Sequence, residues 1–128
     1  MPKRALFSEQ AQPPLGAYSQ GIAAGGFTFV TGTGPVNSRG EVEGDDIRSQ
    51  TRLVLENIGN ILQAGGAGFE DVVKSNVYLT DMSLFADFNE VYAEYVPDPR
   101  PVRTTVGVDL SHVPRMLVQI DVIAYVGD

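Results

Sequence analysis

The spacing of the apolar residues changes along this chain, and the order of these changes restricts the fold more than any other feature of the sequence. Residues 26–32 alternate apolar and small polar side chains, and residues 72–79 are rich in β-branched and aromatic ones, so both segments are predicted strands. Two further alternating runs, residues 104–108 and 116–125, are joined by a short loop. This arrangement is typical of a hairpin, and we expect the two runs to pair.

Two segments between these strands have the period of an amphipathic helix. The first is capped at its N-terminus by Asp45 or Asp46 and ends at the glycine pair 65–66. Its apolar stripe consists of Ile47, Val54, Ile58, Ile61 and Leu62, with Leu55 at its flank. The second follows Asp81 and ends before Pro97. The apolar face of this second helix consists of Leu84, Phe85, Phe88, Val91, Tyr92 and Tyr95.

The predicted order is strand, strand, helix, strand, helix, strand, strand, which indicates an α+β fold in which one sheet carries two helices on one face. A chain of 128 residues and 13.8 kDa is long enough for one domain, and we expect residues 1–128 to form it. The outward strand positions include Val, Phe, Ile and Tyr beside polar residues. We expect other subunits to cover this surface, which predicts a homo-oligomer.

The net charge of −7 argues against nucleic acid and anionic membranes as partners, because an acidic surface repels both. The chain has no cysteine, which excludes disulfides, thiolate nucleophiles and cysteine-bound metals. No apolar run is long enough for an export signal or a membrane span, so the expected location is the cytoplasm.

Arg103 stands at the entrance of the run 104–108, a predicted core strand, in an acidic chain. A guanidinium binds a carboxylate through two parallel hydrogen bonds and can hold a small organic acid in one orientation. Arg103 therefore predicts a binding site for a small carboxylate. The alternative is a strand-end arginine on the surface that pairs with one of the sixteen Asp and Glu residues.

Five parts of the chain, in this order and spacing, resemble the Rid/YjgF imine deaminase family. They are 14–20 (PLGAYSQ), 29–32 (FVTG), 71–74 with 78–82 (DVVK and YLTDM), 88–92 (FNEVY) and 101–106 (PVRTTV). The resemblance implies a chorismate-mutase-like fold with a single mixed sheet, assembled as a homotrimeric barrel with one active site at each subunit interface. It also implies hydrolysis of a reactive imine or enamine acid, such as 2-iminobutanoate or 2-iminopropanoate, to a 2-oxo acid and ammonia, without cofactor or metal.

The resemblance also implies roles for particular residues. Arg103 matches the arginine that binds the substrate carboxylate, and Thr105 shares its face of the strand. The implied substrate-binding residues are Tyr18, Thr31, Gly32, Asn89 and Arg103. Taken without the resemblance, Tyr18 is also interpretable as a half-buried loop aromatic and Asn89 as an exposed helical residue.

One position departs from the family pattern. The archetypal deaminases carry, on the last strand, a glutamate that orients the attacking water, and here Gln119 takes its place. An amide cannot act as a base, but it donates and accepts hydrogen bonds, so Gln119 joins Arg103 and Thr105 in the candidate catalytic set in a recognition role. Asp121, on the same strand face, is a candidate replacement for the carboxylate, and a solvated aspartate is the alternative interpretation.

Three functions remain open on the sequence. The first is the imine deaminase, including one for a larger acid such as an aminomuconate. The second is a family member that binds a small carboxylate without turning it over or that serves a dedicated pathway. The third, a ribonuclease, is disfavoured by the negative charge and by the single histidine, His112, which is interpreted as a surface residue of its loop.

Overall fold

Six strands form one mixed sheet in the computed structural model, which describes residues 2–127. The strands are β1 (Arg4–Leu6), β2 (Gly21–Ala24), β3 (Phe27–Thr33), β4 (Val72–Leu79), β5 (Val102–Gly107) and β6 (Val118–Tyr125). Their order across the sheet is β1-β2-β3-β6-β4-β5, and each neighbouring pair is antiparallel except the parallel pair β4 and β5. The chain before the first helix therefore forms three strands, where the sequence pattern predicted two.

Two α-helices pack on one face of this sheet and confirm the α+β prediction. They are α1 (Ile47–Ala64) and α2 (Phe85–Tyr95), and short 3₁₀ turns at Phe69–Asp71 and Met82–Leu84 precede β4 and α2. Asp46 caps α1, because its carboxylate accepts a 2.8 Å hydrogen bond from the Ser49 N–H. The five residues of the predicted α1 stripe and the flanking Leu55 are all buried, each stabilising the fold by about 1.5–3 kcal/mol.

The predicted hairpin between residues 104–108 and 116–125 is wrong. Helix α2 carries the chain back along the sheet, so β5 runs parallel to β4 on its outer side, with Val102 opposite Lys74. Strand β6 then fills the position between β3 and β4. Strand β5 is thus at the edge of the sheet, and the expectation that Arg103 enters a core strand is also wrong.

The face of the sheet opposite the helices carries an aromatic cluster. Phe27, Phe29 and Tyr125 are 40%, 42% and 44% exposed. The Phe27 ring centroid lies 4.8 Å from that of Tyr125 and 6.1 Å from that of Phe29. We call this side of the sheet, which carries Phe27, Phe29 and Tyr125, the open face.

Within residues 2–127, neither helix combines the length and the hydropathy that crossing a bilayer requires.

Candidate small-molecule site

Arg103 lies on edge strand β5 and is held by helix α2. Its Nη1 donates a 2.7 Å hydrogen bond to the Asn89 Oδ1. The guanidinium carbon lies 4.9 Å from the ring centroid of Tyr92, 5.3 Å from that of Phe85 and 5.8 Å from that of Phe88. Cation–π contacts of this kind contribute about 0.5–1 kcal/mol each at partly exposed positions. The side chain is therefore fixed in direction by one amide and three rings.

No described Asp or Glu lies within 4.0 Å of the Arg103 guanidinium, so the positive charge is not neutralised by the part of the chain that the structure contains. Within residues 2–127, Arg103 therefore does not form the surface ion pair that was the alternative interpretation of this residue. Asn89 faces this arginine and is half-buried. The remaining guanidinium donors are available for a ligand carboxylate.

A cleft of about 280 Å³ opens where the ends of β3 and β6 meet two loops. Its lining residues are Gln12, Leu15, Tyr18, Thr31, Gly32, Gly34, His112, Val113, Met116 and Gln119. Four predicted site residues are therefore brought together here: Tyr18, Thr31, Gly32 and Gln119. The Tyr18 ring is 41% exposed, and its hydroxyl oxygen accepts a 2.9 Å hydrogen bond from the Leu15 N–H, which fixes the turn that carries it.

A β-bulge directs Thr31 and Gly32 into this cleft. Val30 is opposite Val122 and Thr33 is opposite Ile120, so three steps along β3 match two along β6. The extra residue places both bulge positions on the cleft side, while the Thr33 hydroxyl turns back to bond the Thr31 carbonyl at 2.7 Å. A side chain at position 32 would collide with the amide of Gln119, so glycine is what allows that amide to lie across the bulge.

Buried side-chain amides hold the loops around the cleft. Gln20, which is 1% exposed, donates to the carbonyls of Gln12 and Ser8 at 2.7 and 3.1 Å. The Gln12 Oε1 accepts a 2.7 Å bond from the Gly34 N–H. Asn57 of α1 donates to the Val36 carbonyl at 2.8 Å. The N-terminal segment and the loop after β3 are therefore tied to each other and to the core.

The second cleft loop, residues 108–117, is clamped by α1. The Gln50 Nε2 donates to the Arg115 carbonyl at 2.9 Å, and its Oε1 accepts a 2.8 Å bond from the Leu117 N–H. Leu110 and Met116 of this loop are buried. The clamp fixes the backbone on which the exposed His112 side chain is carried.

The predicted site residues fall into two groups on opposite faces of the sheet. Arg103 lies opposite Ser75 on β4, and Ser75 is buried against α2, where its hydroxyl oxygen accepts a bond from the Tyr92 hydroxyl at 2.8 Å. Thr105, two residues further on, shares this helix side. Gln119 lies opposite Tyr78, on the alternate face. Arg103, Thr105 and Asn89 therefore do not line the cleft of their own protomer.

Asp121 shares the face of Gln119, but its oxygens are already bonded. Oδ1 accepts a 3.0 Å hydrogen bond from the Asn76 amide, and Oδ2 accepts a 2.9 Å bond from the Tyr78 hydroxyl. Burial, followed by the bond to this carboxylate, raises the pKa of Tyr78. Asp121 acts as a structural acceptor in this arrangement, which is neither the solvated aspartate nor the free base considered from the sequence.

The sequence pattern did not reveal several cleft residues. His112 is exposed, as interpreted from the sequence, but it also lines the cleft that contains Gln119. Gln12, Gly34 and Met116 come from segments whose meeting depends on the long-range loop contacts described above. No local periodicity distinguishes these positions, so only the folded loops place them at one site.

Comparisons with known proteins agree with this fold. A family model described as endoribonuclease L-PSP matches residues 8–126. A RutC family protein of Pyrococcus horikoshii is 48% identical over 125 residues, which are 96% of this chain and 98% of the relative. The chloroplast protein Reactive Intermediate Deaminase A of Arabidopsis thaliana is 39% identical over 107 residues, which are 83% of this chain and 57% of the relative.

Solved structures give the same result. The crystal structure of Escherichia coli TdcF with bound serine matches with a TM-score of 0.87 at 32% identity, over 95% of this chain and 98% of that chain. The sheet order, the two helices and the cleft described above thus occur in a chain matched over nearly its whole length by one family model and by close relatives. This chain is a member of the Rid/YjgF family.

Proposed function

We propose that this protein is a hydrolytic deaminase of a reactive imine or enamine acid, of the 2-iminobutanoate or 2-iminopropanoate type, and that it releases a 2-oxo acid and ammonia. The observation that carries the proposal is the Arg103 guanidinium, which is oriented by Asn89 and three aromatic rings yet has no described carboxylate partner. A cation fixed in this way is suited to bind the substrate carboxylate. The deaminase name of the Arabidopsis relative supports the assignment.

Each site is formed by two protomers of a homotrimer in this proposal. Two features support sharing: Arg103 and the cleft lie on opposite faces of one sheet, and β5 is an edge strand with a free backbone edge. The aromatic open face supplies the apolar surface that a subunit interface needs. Arg103 and Thr105 of one protomer then face Tyr18, Thr31, Gly32 and Gln119 of its neighbour.

The chemistry needs few groups. Water adds to the carbon of a protonated C=N bond, so the site must hold the carboxylate and place one water molecule about 3 Å from that carbon. Uncatalysed hydrolysis already proceeds in water, and positioning with electrostatic stabilisation need supply only a few kcal/mol. A covalent nucleophile is not required, which fits a chain without cysteine.

Gln119 favours a second candidate, a protein that binds a small carboxylate without turning it over. Its amide lies across Gly32 in the cleft, where it can bond a ligand but cannot accept a proton as a glutamate would. The solved TdcF structure with bound serine shows that this relative binds a small amino acid. Hydrolysis of a larger imine acid, such as an aminomuconate, would be the deaminase function, the first candidate, with a different substrate.

The family model also carries the name of an endoribonuclease. A net charge of −7 does not favour this activity here, because RNA binding depends on cationic contacts with phosphates. The single histidine, His112, also gives no second imidazole for an acid–base pair.

A trapping assay tests the proposal. Threonine dehydratase generates 2-iminobutanoate in place, semicarbazide traps the free imine, and formation of the semicarbazone is followed with and without this protein. We expect the wild type to lower the trapped fraction and Arg103→Ala to lose about 10²-fold or more of that effect. Arg100→Ala is the matched control. Arg100 is an exposed arginine of the same segment, and its Nε lies 3.9 Å from the Asp98 Oδ1.

The outcomes separate the candidates. If the wild type fails to compete with the trap but binds 2-oxobutanoate in an Arg103-dependent manner, the protein is a carboxylate binder and the deaminase proposal is wrong. If Arg103→Ala and Arg100→Ala lose activity equally, the effect is one of general surface charge, and the role given to Arg103 is wrong.

A further inference from the structure

His112 is the one histidine of the chain, and it lines the cleft in which Gln119 takes the place of a glutamate. It lines the same cleft as Gln119, Tyr18 and Gly32, although it comes from a different loop. We propose that the His112 imidazole accepts the proton of the attacking water, taking the part that a carboxylate at position 119 would otherwise play. This inference rests on the proposed deaminase function and names the base for it.

Elimination among the residues that one protomer contributes to the cleft supports this assignment. The lining contains no Asp or Glu among the described residues, and its amides, hydroxyls and thioether do not take up protons near neutral pH. Asp121 is held by Asn76 and Tyr78. Imidazole is the side chain whose ordinary titration lies between pH 5 and 8, which suits a general base at neutral pH.

The backbone around His112 is built to hold it in place. The Val113 N–H donates to the Leu110 carbonyl at 3.1 Å, which closes a turn over positions 111 and 112. The Gln50 clamp secures the end of the loop at the Arg115 carbonyl. Arg115 itself has a φ of 72°, a left-handed conformation that the loop maintains through these contacts. The imidazole therefore projects from an ordered turn.

Within one protomer the charged and titratable groups near His112 are few, and the proposed trimer adds Arg103 of the neighbouring protomer to the same site. Asp109 lies on the same loop, and its pKa is lowered first by hydrogen bonds from Ser111 and to a smaller extent by the charge of His112. Tyr18, from the N-terminal segment, lines the same cleft as His112. Arg115, two residues beyond the turn, is directed to Asp45 at 3.4 Å.

The proposed step balances in protons and electrons. The water oxygen bonds to the carbon of the protonated imine, the π pair of the C=N bond moves to nitrogen, and the water proton passes to His112, which leaves a neutral carbinolamine. His112 then returns this proton to the amine nitrogen. The hydroxyl oxygen forms the C=O bond as the C–N bond breaks, and the hydroxyl proton leaves with the ammonia as ammonium.

The test uses the trapping assay on the whole protein across pH. His112→Gln keeps a polar side chain of similar size without a base, and we expect it to lower the rate by about 10²-fold. Gln63→Ala, at an exposed position of α1 that does not line the cleft, is the control and should keep the wild-type rate. We expect wild-type activity, after subtraction of uncatalysed hydrolysis, to fall on acidification from pH 8 to 5.

A rescue variant separates a base from a structural residue. In the double variant that combines His112→Gln with Gln119→Glu, the carboxylate at position 119 replaces the imidazole as the general base. Activity should therefore return, and it should persist to lower pH than in the wild type. An inactive wild type overturns the deaminase function and this inference together. An active wild type whose rate and pH profile are unchanged by His112→Gln overturns only the role of His112.

A second readout does not depend on turnover. Because the chain contains one histidine, its imidazole gives a single set of NMR signals. We expect these signals to shift when 2-oxobutanoate is added to the wild type and to remain unshifted in Arg103→Ala. If the wild type binds 2-oxobutanoate but the His112 signals do not shift, His112 lies outside the occupied site and the inference is wrong.

Discussion

At the scale of single residues, the support beneath Arg103 matters as much as the arginine. The Tyr92 ring is the nearest of the three rings to the guanidinium, and its hydroxyl donates to Ser75 in the core. Burial raises the pKa of Tyr92, although the Ser75 bond and the charges of Arg103 and Arg100 act in the opposite direction. A neutral phenol is therefore part of the platform that orients the cation.

This environment predicts a loss of stability in alkali. The folded-state pKa of Tyr92 lies above the ordinary 10.0, so its neutral form stabilises the fold below pH 10, and that contribution is lost as the pH rises through the folded-state pKa. We expect the free energy of unfolding, measured with urea, to fall between pH 10 and 12. The fall should be shallower in Tyr92→Phe, and an equal slope in both proteins would contradict the prediction.

At the scale of elements, local sequence patterns determined the helices and some strands well. Strand β4 and helix α1 have the predicted bounds because each carries its own period and its own end signals, such as Asp46 and the glycines at 65–66. The neighbours of β5 and β6 were predicted wrongly. Strand pairing joins segments that are distant in sequence, and the alternation of apolar and polar residues in one strand does not specify which strand lies beside it.

The residues of the candidate site were also only partly predictable from the sequence. The family resemblance identified Tyr18, Thr31, Gly32 and Gln119, which the structure places in one cleft. It did not identify His112, since the loop that carries this residue lies outside the segments on which the resemblance rests. Its position depends on the clamp from α1, a contact between residues far apart in sequence.

That clamp leads to a prediction about the loop. Gln50→Ala leaves the Arg115 carbonyl and the Leu117 N–H without their partner, and we expect a loss of about 1–3 kcal/mol in the free energy of unfolding. Gln63→Ala, on an exposed position of the same helix, should change stability by less than about 0.5 kcal/mol. Urea unfolding measures both, and equal losses would show that the clamp contributes nothing.

At the scale of the whole molecule, the proposed site is divided between protomers. One protomer supplies Arg103 from its sheet edge, and its neighbour supplies the cleft with Gly32 and Gln119. In the proposed trimer, the exposed aromatic cluster of the open face supplies apolar area for the association. We expect native mass spectrometry to find a trimer.

Mixed trimers test whether the site is shared. Arg103→Ala lacks the cation, and Gly32→Val blocks the cleft because its side chain displaces the Gln119 amide. Each variant alone should be inactive in the trapping assay. After the two are unfolded and refolded together, about a quarter of the sites would combine two intact halves if the chains assort at random. No recovery in mixed trimers would mean that one protomer must supply both halves.

The contact between Gly32 and residue 119 has a consequence for how such proteins diverge. Glutamine and glutamate have the same length and shape, so exchange at position 119 alters charge while the packing across the glycine stays the same. A lineage can therefore gain or lose a carboxylate at this position through a single substitution that leaves the scaffold unchanged. Glycine at 32 does not have this freedom, and the two positions are expected to evolve at different rates.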